Sequence, residues 1–365
     1  MGTKYYTTAY ELTAVADAIR NVGGTNELLV WPNGFISAVE NMDLPPINVD
    51  MFRRYVDGTL SEIEMSDVTN IGSYAFYGCS ALTTVSFPAC TSIGSSAFNG
   101  CTSLTTASFP ECTSIGPYAF GGCSSLTTAS FPACTIISAS AFHYCTALTT
   151  ASFPVCTSIG GGAFQYCSSL TTASFPACTN VGQGAFAACT SLATASFPKC
   201  TTVDTYAFVG CIHFTTASFP ECTSIGVGAF YNCTSLTTAS FPECTRIGSS
   251  AFSNCTSLST AFFPVCTSIG ASAFNGCTNL VTASFPKCIS IGNEVFRNCT
   301  NLMSLYLLGS SYVTMPETAL YFTPISKSTY TGSFGTIYVP SSMLASYKTR
   351  TGFRVYSDRI VGVEV

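Results

Sequence analysis

The chain has 365 residues and a formal net charge of −5, from 13 Lys and Arg against 18 Asp and Glu, and it lacks the basic clusters that neutralise phosphates, which sets nucleic acid aside. Charged residues make up 8%, against roughly a quarter in an average soluble protein, so its polar surface is built from Thr and Ser. Mean hydropathy is positive, yet Thr, Ser and Gly interrupt every apolar run short of the 18 or so residues of a spanning helix, and no membrane insertion is expected.

The first twenty residues lack the apolar centre of a secretory leader and carry Glu11 and Asp17 where it would run, so export by that route is not expected. Residues 8–21 predict a helix, because Thr8 and Glu11 stand at capping-box spacing and Leu12, Val15, Ala16 and Ile19 share one face. Gly23 and Gly24 stop it. Beyond a turn at Trp31, Pro32, Asn33 and Gly34, a second helical pattern sets Phe35, Ile36, Val39 and Met42 on one side. Two helices of this size make a marginal core alone, so residues 1–46 read either as a helical cap on the rest of the chain or, the preferred reading, as a helical hairpin that docks on something else. Pro45 and Pro46 make a stiff joint to the rest.

From Leu60 on, one unit of 22 residues returns for most of the length. Leu82, Leu104, Leu126 and their successors to Leu302 form one column, broken only by Phe214, and Phe76 to Phe296 form another of 11. A fixed period of this kind marks a solenoid, in which each coil buries its apolar face by stacking on its neighbours. Residues 51–70 are a degenerate first coil, with Leu60, Ile63 and Met65 standing where Leu82, Val85 and Phe87 stand one period later. Alternation at Val85, Ser86 and Phe87 predicts one short strand per coil, ended by Pro88. Ile93 and Gly94 read as a turn, and Ala97, Phe98, Cys101 and Leu104 have the spacing of a short helical turn that packs Phe98 and Cys101 inward. Eleven coils at about 4.8 Å per strand make a rod or shallow arc roughly 50 Å long. The pattern fades after Leu307, where residues 335–340 predict a strand, residues 341–348 a helix capped by Ser341, and residues 359–365 a last strand. The organisation expected is a docking module at 1–46, a solenoid at 51–307 and an α/β cap at 308–365.

All 21 cysteines fall in two columns, Cys79 to Cys299 and Cys90 to Cys288. The columns stand at opposite ends of a strand, about 20 Å apart, far beyond the roughly 7 Å that a disulfide spans between Cα atoms, and neighbours within a column point in parallel. They are expected to be reduced, as small buried apolar side chains. There is no C-x-x-C, and His143 and His213 are isolated, so neither a metal site nor a cofactor is expected. No nucleophile stands near a base and no carboxylates pair in a cleft. Glu111, Glu221 and Glu243 share a coil edge with Lys199 and Lys287 and read as solvated. No enzyme is expected.

Thr84 and Ser86 recur almost unchanged, whereas the residues around the core Phe vary. After it stand Tyr77, Asn99, His143 with Tyr144, Gln165 with Tyr166, and Tyr231 with Asn232; before the Ala-Phe step stand Tyr118 and Tyr206. Such residues suit an adaptable binding surface, Tyr for rigid amphipathic area and the others for hydrogen bonds. These ten are the candidate site, on the convex side, with Tyr144, Tyr166 and Tyr231 expected in one row. That they are unconstrained surface positions stays open.

The unit L-x-x-V/A-x-F-P-x-C-x-x-I/V follows the leucine-rich-repeat pattern with one residue added. Its I-G-x-x-A-F-x-x-C-x-x-L and L-x-x-x-x-F-P segments resemble the BspA-like leucine-rich repeats over about residues 60–307. The second Cys column and the fixed Ala or Val of the strand depart from that family's usual pattern. Residues 12–20 and 29–40 resemble a short module of tail-associated proteins of phages and prophages, and residues 337–361 are similar to the cap such repeat proteins carry. The resemblance implies an α/β repeat fold: a leucine-rich-repeat solenoid of 22-residue coils, one strand plus a short helical turn each, with an N-terminal helical hairpin and a C-terminal α/β cap. It also implies a non-enzymatic attachment protein, a phage tail or surface component made in the host cytoplasm. The solenoid would bind a host cell-surface glycan or protein, and the N-terminal module a virion structural protein. The alternatives are a bacterial cell-surface adhesin and a purely structural virion decoration. Receptor, host, binding face and homo-oligomer formation are left open.

Overall fold

The computed structural model describes residues 58–326 and 334–365; the helical hairpin expected at 1–46 lies outside the described residues. Each regular coil holds two strands, one of three residues such as Thr106–Ser108 and one of two such as Ser114–Ile115. One side chain of each points inward, here Ala107 and Ile115, both fully buried. Strand residues pair in parallel with their counterparts in the next coil, Thr84 with Thr106 and Ser92 with Ser114, without a break in the two-residue strands and with three breaks in the three-residue ones.

The second strand corrects the reading of Ile93 and Gly94 as a turn. Ser92–Ile93 and its counterparts build the longest sheet, 11 parallel strands running unbroken from Asn70–Ile71 to Ser290–Ile291. A two-residue strand has no alternation to reveal it; the neighbouring coils make it. The three-residue strands fall instead into sheets of 4, 3 and 2 strands and a last group of 3 that is extended by two longer strands to a five-stranded sheet. The breaks follow Thr128–Ser130, Thr194–Ser196 and Thr238–Ser240, the strands whose central Ala is half-buried where others are buried.

Two phenylalanine ladders fill the interior rather than one. Phe98 stacks on Phe120 at 5.1 Å and Phe109 on Phe131 at 5.3 Å, while Phe109 meets Phe120 edge-on at 5.9 Å. Offset stacks within a ladder and edge contacts between ladders satisfy both preferred geometries of an aromatic pair. All 21 cysteines are unpaired. They are more than small apolar fillers, because the thiols act as donors: Cys167 Sγ reaches the Phe142 carbonyl of the previous coil at 3.1 Å, and Cys112 Sγ reaches Ser114 O at 3.2 Å. Threonine does similar work outside. The Thr113 hydroxyl and its own N–H both donate to Thr91 O, at 3.1 and 2.8 Å, and the same step recurs at Thr135, Thr157 and Thr179.

Beyond Leu307 the stacking continues. Thr314 bridges to Ser290, Phe296 N–H donates to Ala319 O at 2.8 Å, and Asn298 N–H to Tyr321 O at 3.0 Å, so residues 314–321 lie on the last regular coil like one more turn. The five-stranded sheet runs on in parallel through Ser304–Tyr306, Thr336–Pro340 and Ile360–Val363. Ser341 does not cap a helix: it lies inside a 3-10 turn, Ser341–Met343, leading to the helix Leu344–Thr349, and neither start has a side-chain cap. Buried Tyr347 anchors that helix, its hydroxyl oxygen accepting the Val313 N–H at 3.1 Å. Among the described residues no helix is long and apolar enough to cross a membrane.

Candidate binding surface

The third side of each coil is a run of tight turns, not the short helix that its i, i+3 spacing implies. Alternate N–H groups leave the coil: Tyr118, Phe120 and Gly122 donate to Ala139, Ala141 and His143 of the next one, at 3.1, 2.7 and 2.7 Å. Between them Ala119, Gly121 and Cys123 donate three residues back within the coil, at 3.2, 2.9 and 3.2 Å. A helix would send every N–H back along its own chain. This side is therefore a third inter-coil ladder, and it advances by the same step as the strands.

The geometry requires left-handed backbone at two positions per coil. The first is the residue before Ala-Phe, such as Tyr118 (φ 54°) or Ser140 (φ 56°); the second is two residues after the Phe, such as Tyr144 (φ 59°) or Gly122 (φ 70°). Such φ values suit Gly, and Asn among the rest. The second residue of each variable pair is thus constrained by the backbone. Asn232 (φ 62°) is explained by that alone, whereas Tyr118, Tyr144, Tyr166 and Tyr206 stand against the preference.

Where the first column holds a tyrosine, the next coil offers a small residue: Ser96 follows Tyr74, Ser140 follows Tyr118, and Gly228 follows Tyr206. The Tyr206 ring lies over Gly228 so closely that a Cβ there would come within 2.3 Å of Tyr206 Cε1. Tyr118 and Tyr206 nevertheless keep 46% and 43% of their surface in solvent. In the second column Tyr144 and Tyr166 stack at 4.5 Å, 11° from parallel, and His143 meets them edge-on at 4.3 and 5.7 Å. Burial pushes the His143 pKa down, which favours the neutral ring.

The other candidates are dispersed. Tyr231 is half-buried and stands outside the row: it lies in the column of His143 and Gln165, whereas the column of Tyr144 and Tyr166 runs on through Ala188, Gly210 and Asn232. Asn99 is turned to the next coil, its Nδ2 donating to Tyr118 O at 3.5 Å, and the Gln165 side chain lies against Gly162. Tyr77 makes a ring pair with Tyr74 at 5.8 Å. Tyr74 is a left-handed tyrosine that sequence reasoning missed, although its alignment with Tyr118 and Tyr206 was available. Missed too was Phe262, in S-T-A-F-F-P where other coils read T-T-A-S-F-P. His213 Nδ1 lies 2.7 Å from Thr190 O, so that nitrogen donates. Among the described residues no three His, Cys, Asp or Glu side chains are grouped to hold a metal ion.

No curated protein matches significantly in sequence. Among solved structures, a leucine-rich repeat protein from Bacteroides ovatus ATCC 8483 is 24% identical over 68% of this chain and 86% of its own, with a TM-score of 0.41. A leucine rich cell surface protein from Faecalibacterium prausnitzii A2-165 is 26% identical over 71% of this chain and 88% of its own, with a TM-score of 0.37. The family model of the BspA type leucine rich repeat region matches in 6 copies, over residues 47–171, 157–280 and 223–341. With that match spanning most of its length, and coils of this period in the fold, the chain belongs to the BspA-type leucine-rich repeat family.

Proposed function

We propose that this chain is a non-enzymatic adhesion protein of the bacterial cell-surface kind, which holds its target through aromatic side chains on the turn side of the solenoid. The observation that carries this reading is the tyrosine at left-handed positions 118, 144, 166 and 206, where other coils use mostly small residues, Gly, Ser or Asn. Left-handed backbone costs an ordinary residue about 1–2 kcal/mol; Tyr144 and Tyr166 recover part of that by stacking on each other, yet all four rings keep much of their surface in solvent. A residue kept against the backbone's preference, with rigid amphipathic area turned to solvent, suits recognition. Membership of the BspA-type family agrees with surface binding. The phage-virion reading has for support the short resemblance of residues 12–20 and 29–40, whereas the family match covers residues 47–341 and favours the surface-adhesin reading, which takes its place.

Two measurements test it. Antibody labelling of intact producing cells, beside mass spectrometry of virions purified from the same culture, addresses location; protein in virions and none on cells would overturn the proposal. For the face, beads carrying a variant with Gly at positions 118, 144, 166 and 206 should lose at least tenfold in adhesion to the cells that the wild-type protein decorates, with no loss of thermal stability. Unchanged adhesion would remove the turn side from the mechanism.

A further inference from the structure

The outward positions of the first strand are hydroxyl-bearing and monotonous along most of the molecule: eight successive coils, from Ser86 to Ser240, carry Ser at the second of them. Phe262 breaks that column, 59% exposed. The strand register then places Ser284, Tyr306 and Tyr338 beside it in order. Tyr338 stacks on Tyr306 with ring centres 4.5 Å apart and planes 11° from parallel. The preference of strands for aromatic residues would act alike in every coil, yet the chain sets them only here, around one serine.

Spacing decides what such a gap can take. Phe262 and Tyr306 are two strand steps apart, about 9.6 Å. A flat ring held in contact on both faces needs only about 7.5 Å, twice the contact distance between carbon atoms. The remaining ~2 Å is the depth of a puckered ring, as in a pyranose chair with its axial hydrogens facing the aromatic rings. On the floor stand Ser284 and, one column along on the same and next strands, Thr282 and Ser304, whose hydroxyls can give and accept hydrogen bonds. None of these positions carries a charge.

We propose that Phe262, Ser284 and Tyr306 form a carbohydrate slot taking one pyranose unit of an uncharged glycan, with Tyr338 backing Tyr306. Neutrality favours a neutral sugar, since a charged one would shed water without finding an opposite charge. The slot lies on the strand side, so it is independent of the turn-side tyrosines.

The test uses the full chain and three neutral hexasaccharides, maltohexaose, cellohexaose and chitohexaose, titrated by calorimetry and by saturation-transfer NMR. At least one should bind saturably. Phe262→Ser restores the residue that nine other coils carry, so it should leave the strand intact and weaken binding at least tenfold; Ser284→Tyr, which fills the gap, should abolish it. Tyr144→Gly with Tyr166→Gly should leave it unchanged. Saturation by none of the three sugars, or wild-type affinity in Phe262→Ser, would overturn the slot. So would binding lost in the Tyr144 and Tyr166 variant but kept in Phe262→Ser, which would put the sugar on the turn side.

Discussion

Tyr118 holds a backbone shape that Gly162, Gly184 and Gly228 hold at the same place in other coils, so folding and binding can be separated at one side chain. Gly in its place relieves about 1–2 kcal/mol of left-handed strain and returns about 0.5–1 kcal/mol as flexibility of the unfolded chain. Urea denaturation of Tyr118→Gly should therefore show unchanged or slightly raised stability. A loss of 2 kcal/mol or more would mean that the ring is structural. Sequence reasoning identified these positions as variable and missed the reason, because Tyr and Ser do not announce a positive φ as Gly does. The clue lay across coils, in Gly or Asn recurring in columns that looked free.

Among the elements, the Leu and Phe columns were legible because each is a large apolar side chain repeated without exception or nearly so. Ser92–Ile93 was not, being two residues whose partners lie 22 positions away. The turns were misread because Ala-Phe-x-x-Cys carries the spacing of a helix while its N–H groups alternate between two coils. The double aromatic ladder sets the cost of damage. Phe164 stacks on Phe142 and Phe186 at 5.2 Å on both sides and meets Phe153 and Phe175 edge-on at 5.9 and 5.8 Å. Phe164→Ala should cost about 3–5 kcal/mol, seen as a fall in the urea midpoint, with amide exchange accelerating first in the coils either side of it.

For the whole molecule, the thiols make an alkaline limit. Burial pushes Cys90 and Cys156 up to about 11 and Cys167 up to about 12, from an ordinary value of 9.0. The unfolded chain then loses these protons at lower pH than the folded one, so the stabilisation is complete well below pH 9 and is lost as pH rises through 9 towards 12. Each such thiol lowers the folding constant about tenfold per pH unit in that window, and they act together. Urea midpoints in reducing buffer should stay level from pH 6.5 to 7.5, begin to fall above pH 8 and fall steeply above 9. A flat response to pH 11 would contradict the burial of the two columns.

Because the 11-stranded sheet carries one hydrogen-bonded step from coil to coil without a break, the molecule is a ruler graduated in periods of 22 residues. Tyr166 and Phe262 stand between four and five periods apart in the chain, and gain or loss of one period would change the distance between turn-side and strand-side contacts by about 4.8 Å while touching neither. Removing residues 170–191 joins Ser169 to Leu192, which occupies the place of Leu170. The shortened protein should fold cooperatively, keep the affinity of each face for its own ligand, and differ from the parent only towards targets that engage both faces at once. Spacing between contacts would then be a quantity that this gene adjusts by unequal crossing-over, in fixed increments, without redesigning a single site.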